Sequence, residues 1–61
     1  MNAQLTQYAI DLRAAVPGAS DCAAQYTKDG DTTNAAYWKD VAENRLPNGA
    51  AMLDRLAAVL P

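Results

Sequence analysis

Leu5, Ala9, Leu12 and Val16 recur at helical spacing, with Tyr8 and Ala15 beside the stripe. This pattern predicts an amphipathic first helix, capped at its start by Asn2 and ended by Pro17-Gly18. Ser20 is placed to cap a short second helix whose apolar positions are Cys22, Ala23, Ala24 and Tyr26. The run Lys28-Asp29-Gly30-Asp31-Thr32-Thr33-Asn34 is polar and turn-rich and reads as a loop, with room for one extra helical turn. Thr32 or Asn34 then caps a third helix, in which Trp38, Val41 and Ala42 form the buried stripe and Ala35 its margin. Asn44 suits a helix C-cap, Leu46 is placed to plug the core, and Asn48 caps a last helix. In that helix Ala50, Leu53, Leu56, Ala57 and Leu60 form one apolar face.

The expectation is therefore an all-α fold. It is a small four- to five-helix domain, with four main helices and no β-hairpin, formed as a single domain over residues 1–61. Cys22 is read as a small core residue. Trp38 is expected to be mostly buried against Leu53, Leu56 and the first helix, so that Trp38→Ala would cost several kcal/mol, in the ~3–5 range of large aromatic truncations.

Composition supports helix, since Ala dominates the 51% apolar fraction and β-branched residues are few. A chain of 61 residues buries only about 60% of its unfolded surface, which leaves one modest core and no separate catalytic domain. Seven acidic residues against five basic ones give a net charge of −2, the opposite of the basic footprint usual for nucleic-acid binders. The first 16 residues are amphipathic and carry Asp11 and Arg13, so no secretory signal is expected, and no apolar run reaches the ~20 residues needed to span a bilayer. The lone Cys22 suits a reducing compartment, and a cytoplasmic protein is expected. There is no His, hence no His-based catalysis or zinc site. No cofactor, metal or small-molecule substrate is expected, and no enzyme activity, because no nucleophile–base pair is present. The alternate spacing of Asp29, Asp31 and Thr33 is similar to a calcium loop. It lacks the following turn Gly and has Asp40 rather than Glu at the twelfth position, so it is read as a solvated turn.

The stretch AAYWKDVAENRLPNGAAMLDRLAAVL, residues 35 to 60, resembles the end of the lambda-repressor-like helix-turn-helix family, which includes Cro and the xenobiotic-response-element regulators. Trp38 and Val41 match that family's apolar pair in the recognition helix, Asn44 its terminator and Arg45 to Pro47 its basic-and-proline loop. Leu53, Leu56, Ala57 and Leu60 match its final Leu-x-x-Leu-Ala-x-x-Leu helix. Upstream the match is slighter: Leu12-Arg13 resembles the end of the first helix and Ala24 a small residue of the second, while the Lys28–Thr33 loop is longer than the family's tight turn.

The resemblance implies a Cro-like DNA-binding transcriptional regulator of phage, prophage or bacterial origin, acting on double-stranded DNA as a homodimer. Its third helix, about residues 34–43, would enter the major groove. Carried over residue by residue, Asn34, Ala35, Ala36, Lys39 and Asp40 would face the groove. Thr33 or Asn34 would hold a phosphate at the helix N-terminus, and Lys28 and Arg45 would contact phosphates from the flanking loops. As a reading set this is poor: Lys39 is the only cation on that face and would mainly touch phosphate, Ala meets only a thymine methyl, and Asp40 can accept from cytosine N4 but repels phosphate. A second reading stands beside it: an acidic protein-interaction module on the same scaffold, an antirepressor, inhibitor or accessory phage protein that does not bind DNA. There Asp29, Asp31, Asp40 and Glu43 attract a basic partner. Fold alone does not choose between the two.

Overall fold

The computed structural model describes residues 1–61 and is helical almost throughout, with no strand. Four segments follow in order: α1 Ala3–Ala14, α2 Val16–Lys28, α3 Thr32–Asp40 and α4 Leu46–Val59, with a π-helical turn, Val41–Arg45, joining α3 to α4. They are not four separately packed helices. α1 and α2 are joined through the single residue Ala15, whose backbone is right-handed helical, and α3 continues through the π turn into α4. The result is two long helical rods in an antiparallel hairpin, and the expectation of a four- to five-helix domain is corrected accordingly.

The rods are interrupted near mid-height for a shared reason. Pro17 and Pro47 each lie in the first turn of a segment, where a missing N–H is tolerated. In an unbroken rod each ring would meet the carbonyl four residues back. The first rod answers with the slackened turn at Ala15, and the second with the wider π turn, closed by the Leu46 N–H donating to the Val41 carbonyl. Proline here bends a helix without ending it. Asn44 does not take the left-handed conformation, since no residue but Gly has positive φ, and Ser20 and Asn48 lie inside helices rather than at caps.

The reversal between rods is short. Gly30, at φ 75°, closes α2 with two bonds: its own N–H to the Thr27 carbonyl and the Asp31 N–H to the Tyr26 carbonyl. This is the paired capping pattern that needs a left-handed residue. Asp31 then caps α3, its side chain accepting from the Asn34 N–H at 3.1 Å. Thr32 is the first helical residue and Asn34 lies within the helix, so neither is the cap. Lys28 and Thr33 belong to helices, and the loop shrinks to residues 29–31. At the other end Asn2 caps α1 as expected, accepting from the Leu5 N–H at 3.0 Å. It also ties the two termini together: its N–H donates to the Ala57 carbonyl at 2.9 Å and its Nδ2 to the Pro61 carbonyl at 2.9 Å.

α1 packs along α4, and α2 along α3 and the π turn. On the first rod the inward residues are Leu5, Ala9, Leu12, Val16, Ala19, Ala23 and Tyr26, in alternating steps of four and three, all buried or half-buried. This is the heptad seam of a coiled coil. On the second rod they are Ala35, Trp38, Ala42, Leu46, Ala50, Leu53 and Ala57. The two consecutive steps of four after Ala42 carry one residue too many for the seam. The π turn absorbs it and keeps both halves of the rod facing the partner.

Only Ala9, Ala19, Ala42, Ala50 and Ala57 are buried, and no larger side chain is fully enclosed. The hairpin is long and thin, with extents of 47 × 14 × 9 Å and a radius of gyration of 13.9 Å, against about 10.5 Å for a globular chain of this length. Trp38 is half-buried on α3 and packs on the side of α2. It cannot meet Leu53, Leu56 or α1, which lie in the other half, so the expected central plug is corrected. Leu56 and Leu60 remain 42% and 44% exposed, and Cys22 is exposed rather than in the core. No helix is long and apolar enough to cross a membrane.

Candidate functional site

The residues expected to read DNA fall on α2, α3 and the π turn; Thr33, Ala36 and Asp40 share the outer side of α3, but Ala35 and Asn34 do not join them. Ala35 sits in the seam, half-buried. With about 100° per residue in a helix, that placement sends Asn34 and Ala36 to opposite flanks of α3. Thr33 and Asp40 lie on its outer side and Lys39 beside the α2 contact. Lys28 is exposed in the last turn of α2. Because α3 and α4 run on as one rod, α4 lies end-on to α3 instead of crossing behind it.

Several of these groups are already engaged. The Asn34 Nδ2 donates to Asp31 Oδ2 at 2.7 Å, alongside the backbone bond from its N–H. The α3 N-terminus therefore carries a carboxylate where the DNA reading puts a phosphate. These two bonds, the side-chain one foremost, hold the Asp31 carboxyl below the usual carboxylate range. Asp29 accepts from Gln25 Nε2 at 3.2 Å, so the acidic loop residues bond to neighbours on their own helices. No group of three or more His, Cys, Asp or Glu comes together to hold a metal.

A second cluster forms around the π turn. Asn44 Nδ2 donates to Asp40 Oδ1 at 2.9 Å, and Arg45 Nε to Asp40 Oδ2 at 3.0 Å. Residues five apart face each other only because the turn is π-helical. The Asp40 carboxyl is held low by the Asn44 bond first and by Arg45 second. The Arg45 guanidinium also lies 5.4 Å from the Tyr37 ring centroid, and Tyr37 meets Trp38 edge-on at 5.4 Å. Cation–π contact and ion pair together fix Arg45 over its own helix. The structure thus unites Asp40 and Arg45, with Asn44 and Tyr37, and leaves Lys28 and Thr33 apart from them. The offsets between Asp40, Asn44 and Arg45, ahead of Pro47, were the only sequence signal of this cluster.

The hairpin is electrically lopsided. Residues 16–45 carry five carboxylates, Asp21, Asp29, Asp31, Asp40 and Glu43, against Lys28, Lys39 and Arg45, a net −2 that accounts for the whole formal charge of the chain. In the half made by α1 and α4, Asp11 and Asp54 balance Arg13 and Arg55, and Arg13 pairs with Asp54 at 2.5 Å. Comparison with family models, with curated proteins and with solved structures finds no match for this chain.

Proposed function

We propose that the protein is a protein-interaction module: an acidic helical hairpin whose loop-end half, residues 16–45, docks against a basic surface of a protein partner, in the manner of an inhibitor or antirepressor. The confinement of all the net charge to that half carries this reading. It creates a negative end that steers a basic partner and sets its orientation. The Asp31 cap at the start of α3 and the tethering of Arg45 by Asp40 and Tyr37 count in the same direction, because they remove two of the phosphate contacts a DNA binder would use.

The second reading is the Cro-like regulator. It rests on the resemblance of residues 35 to 60 alone, with Asn34, Ala36, Lys39 and Asp40 toward the major groove of an operator bound as a dimer. Fluorescence anisotropy with DNA flanking the gene, titrated with salt, separates the two. The interaction module has negligible DNA affinity at physiological salt, and Asp40→Asn does not create it. The regulator binds, with a linear salt dependence, and binds more tightly when Asp40 becomes Asn. In parallel, a basic amphipathic helical peptide titrated into isotope-labelled protein is expected to move amide resonances of residues 16–45. Unmoved resonances at low salt would end the interaction reading.

A further inference from the structure

We infer that the opposite half of the hairpin is a self-association surface, where a second copy of this chain packs on the face formed by Tyr8, Met52, Leu56 and Val59 and completes a four-helix core. The inference does not depend on the partner proposed for the loop-end half.

The first ground is that one copy does not enclose a core. Its only buried side chains are alanines, and it exposes 4240 Å², where a compact monomer of 6.5 kDa exposes about 3,800 Å². Chains of this size commonly supply missing burial by oligomerising, and paired helical hairpins form four-helix bundles.

The second ground is where the unburied apolar surface lies. In an antiparallel helix pair, each flank of one rod meets the same flank of the other. The Arg13–Asp54 ion pair marks one flank of the α1/α4 half as polar. Tyr8 and Leu56 lie on the other, with Met52 and Val59 further out on the same side of α4. They are 47%, 42%, 58% and 76% exposed. Asp54 lies on the Arg13 flank, while Arg55, three residues from Met52 and four from Val59, and Asp11, three from Tyr8, border this face with opposite charges. The Tyr8 hydroxyl oxygen accepts from Gln4 Nε2 at 2.7 Å, toward the polar edge of the face, while the ring stays open to be covered.

The third ground is area. The four side chains expose apolar surface on the order of 400 Å², within the ~300–600 Å² of the largest and often functional patches on monomers. That is about half of the ~800 Å² each partner contributes to a stable interface, and a polar rim supplies the remainder. A second copy fits because this half is neutral. Two such faces meet without like-charge repulsion, while the acidic halves stay clear of the contact.

Sedimentation equilibrium of the full chain, with thermal unfolding followed by circular dichroism across a roughly hundredfold concentration range, tests the inference. The expected result is a dimer whose Tm rises with concentration. Met52→Glu should weaken it at least tenfold, whereas Ile10→Glu, on the Arg13 flank and also exposed, should not. A mixed sample of labelled and unlabelled wild-type chains keeps the test decisive if Met52→Glu fails to fold, because intermolecular contacts are expected between the Tyr8 ring and the Met52 or Leu56 methyl groups. A wild-type monomer throughout the range, equal weakening by Ile10→Glu, or intermolecular contacts that avoid these residues would overturn it.

Discussion

Leu12 reaches across from α1 to the backbone of α4 at Gly49: a Cβ placed on Gly49 would lie 3.3 Å from Leu12 Cδ1. The two rods can approach this closely because half of their seam positions are Ala and Gly49 lies beside the seam, and the cost is that no large side chain is enclosed. The same small residues that shape the hairpin limit its stability.

Gly49→Ala is expected to stabilise modestly. A helix-interior Gly costs about 1 kcal/mol relative to Ala. Leu12 is only half-buried, so its methyl group can yield the few tenths of an ångström required and takes back only part of that gain. Gly18→Ala, with nothing within 4 Å, should give the whole increment. Gly30→Ala should destabilise by about 1–2 kcal/mol, because φ 75° puts Cβ against the backbone. Urea unfolding of the three variants checks the order Gly18→Ala, Gly49→Ala, wild type, Gly30→Ala.

Asn2→Ala removes both the cap on α1 and the bond to the Pro61 carbonyl. A loss of about 1–2 kcal/mol is expected, in the upper part of the usual range for N-cap deletions. Hydrogen exchange should rise at the start of α1 and the end of α4 together, while α2 and α3 keep their protection.

Two carboxylates set an acid limit. Asp31 and Asp40 are held below the ordinary value of 3.8 by bonds from Asn34, and from Asn44 and Arg45. A carboxyl depressed in the folded state favours folding above its unfolded pKa, and that contribution disappears as pH falls through the lower folded value. Tm should therefore be level above about pH 5 and decline below about pH 4. Asp31→Asn keeps a capping oxygen that does not titrate, and should flatten the decline. An unchanged acid limb in both Asp31→Asn and Asp40→Asn would contradict this assignment.

The π turn accounts for one surplus residue in the second rod. Deleting Glu43, which is exposed, restores alternating steps along the seam, but Pro47 still opposes an unbroken α-helix through this point. That variant should remain folded, with both halves of the rod helical by circular dichroism and a kink retained before Pro47. Deleting Ala51, also exposed but inside α4, rotates Leu53 and Ala57 out of the seam and should unfold the half made by α1 and α4.

The all-helical class, the seam positions Leu5, Ala9, Leu12 and Val16, the Asn2 cap, and Ala50, Leu53 and Ala57 of the last helix were legible in the sequence, because helical periodicity and capping act over a few residues. The number of packed helices was not. Pro17-Gly18 and Leu46-Pro47-Asn48 are ordinary stop signals, and whether proline ends a helix or only loosens it depends on what lies alongside. Here a second rod runs past both prolines and rewards continuation, so one break shrinks to Ala15 and the other becomes a π turn. The same decision moved Trp38 from an expected centre to a half-covered flank, spread Asn34 to Asp40 around α3, and left Leu56 and Cys22 exposed. Stripe patterns specify which side of a helix is apolar, but a stripe does not name the surface that covers it. Only the tertiary arrangement of two rods decided that Ala would fill the seam while Tyr8, Met52, Leu56 and Val59 remained outside.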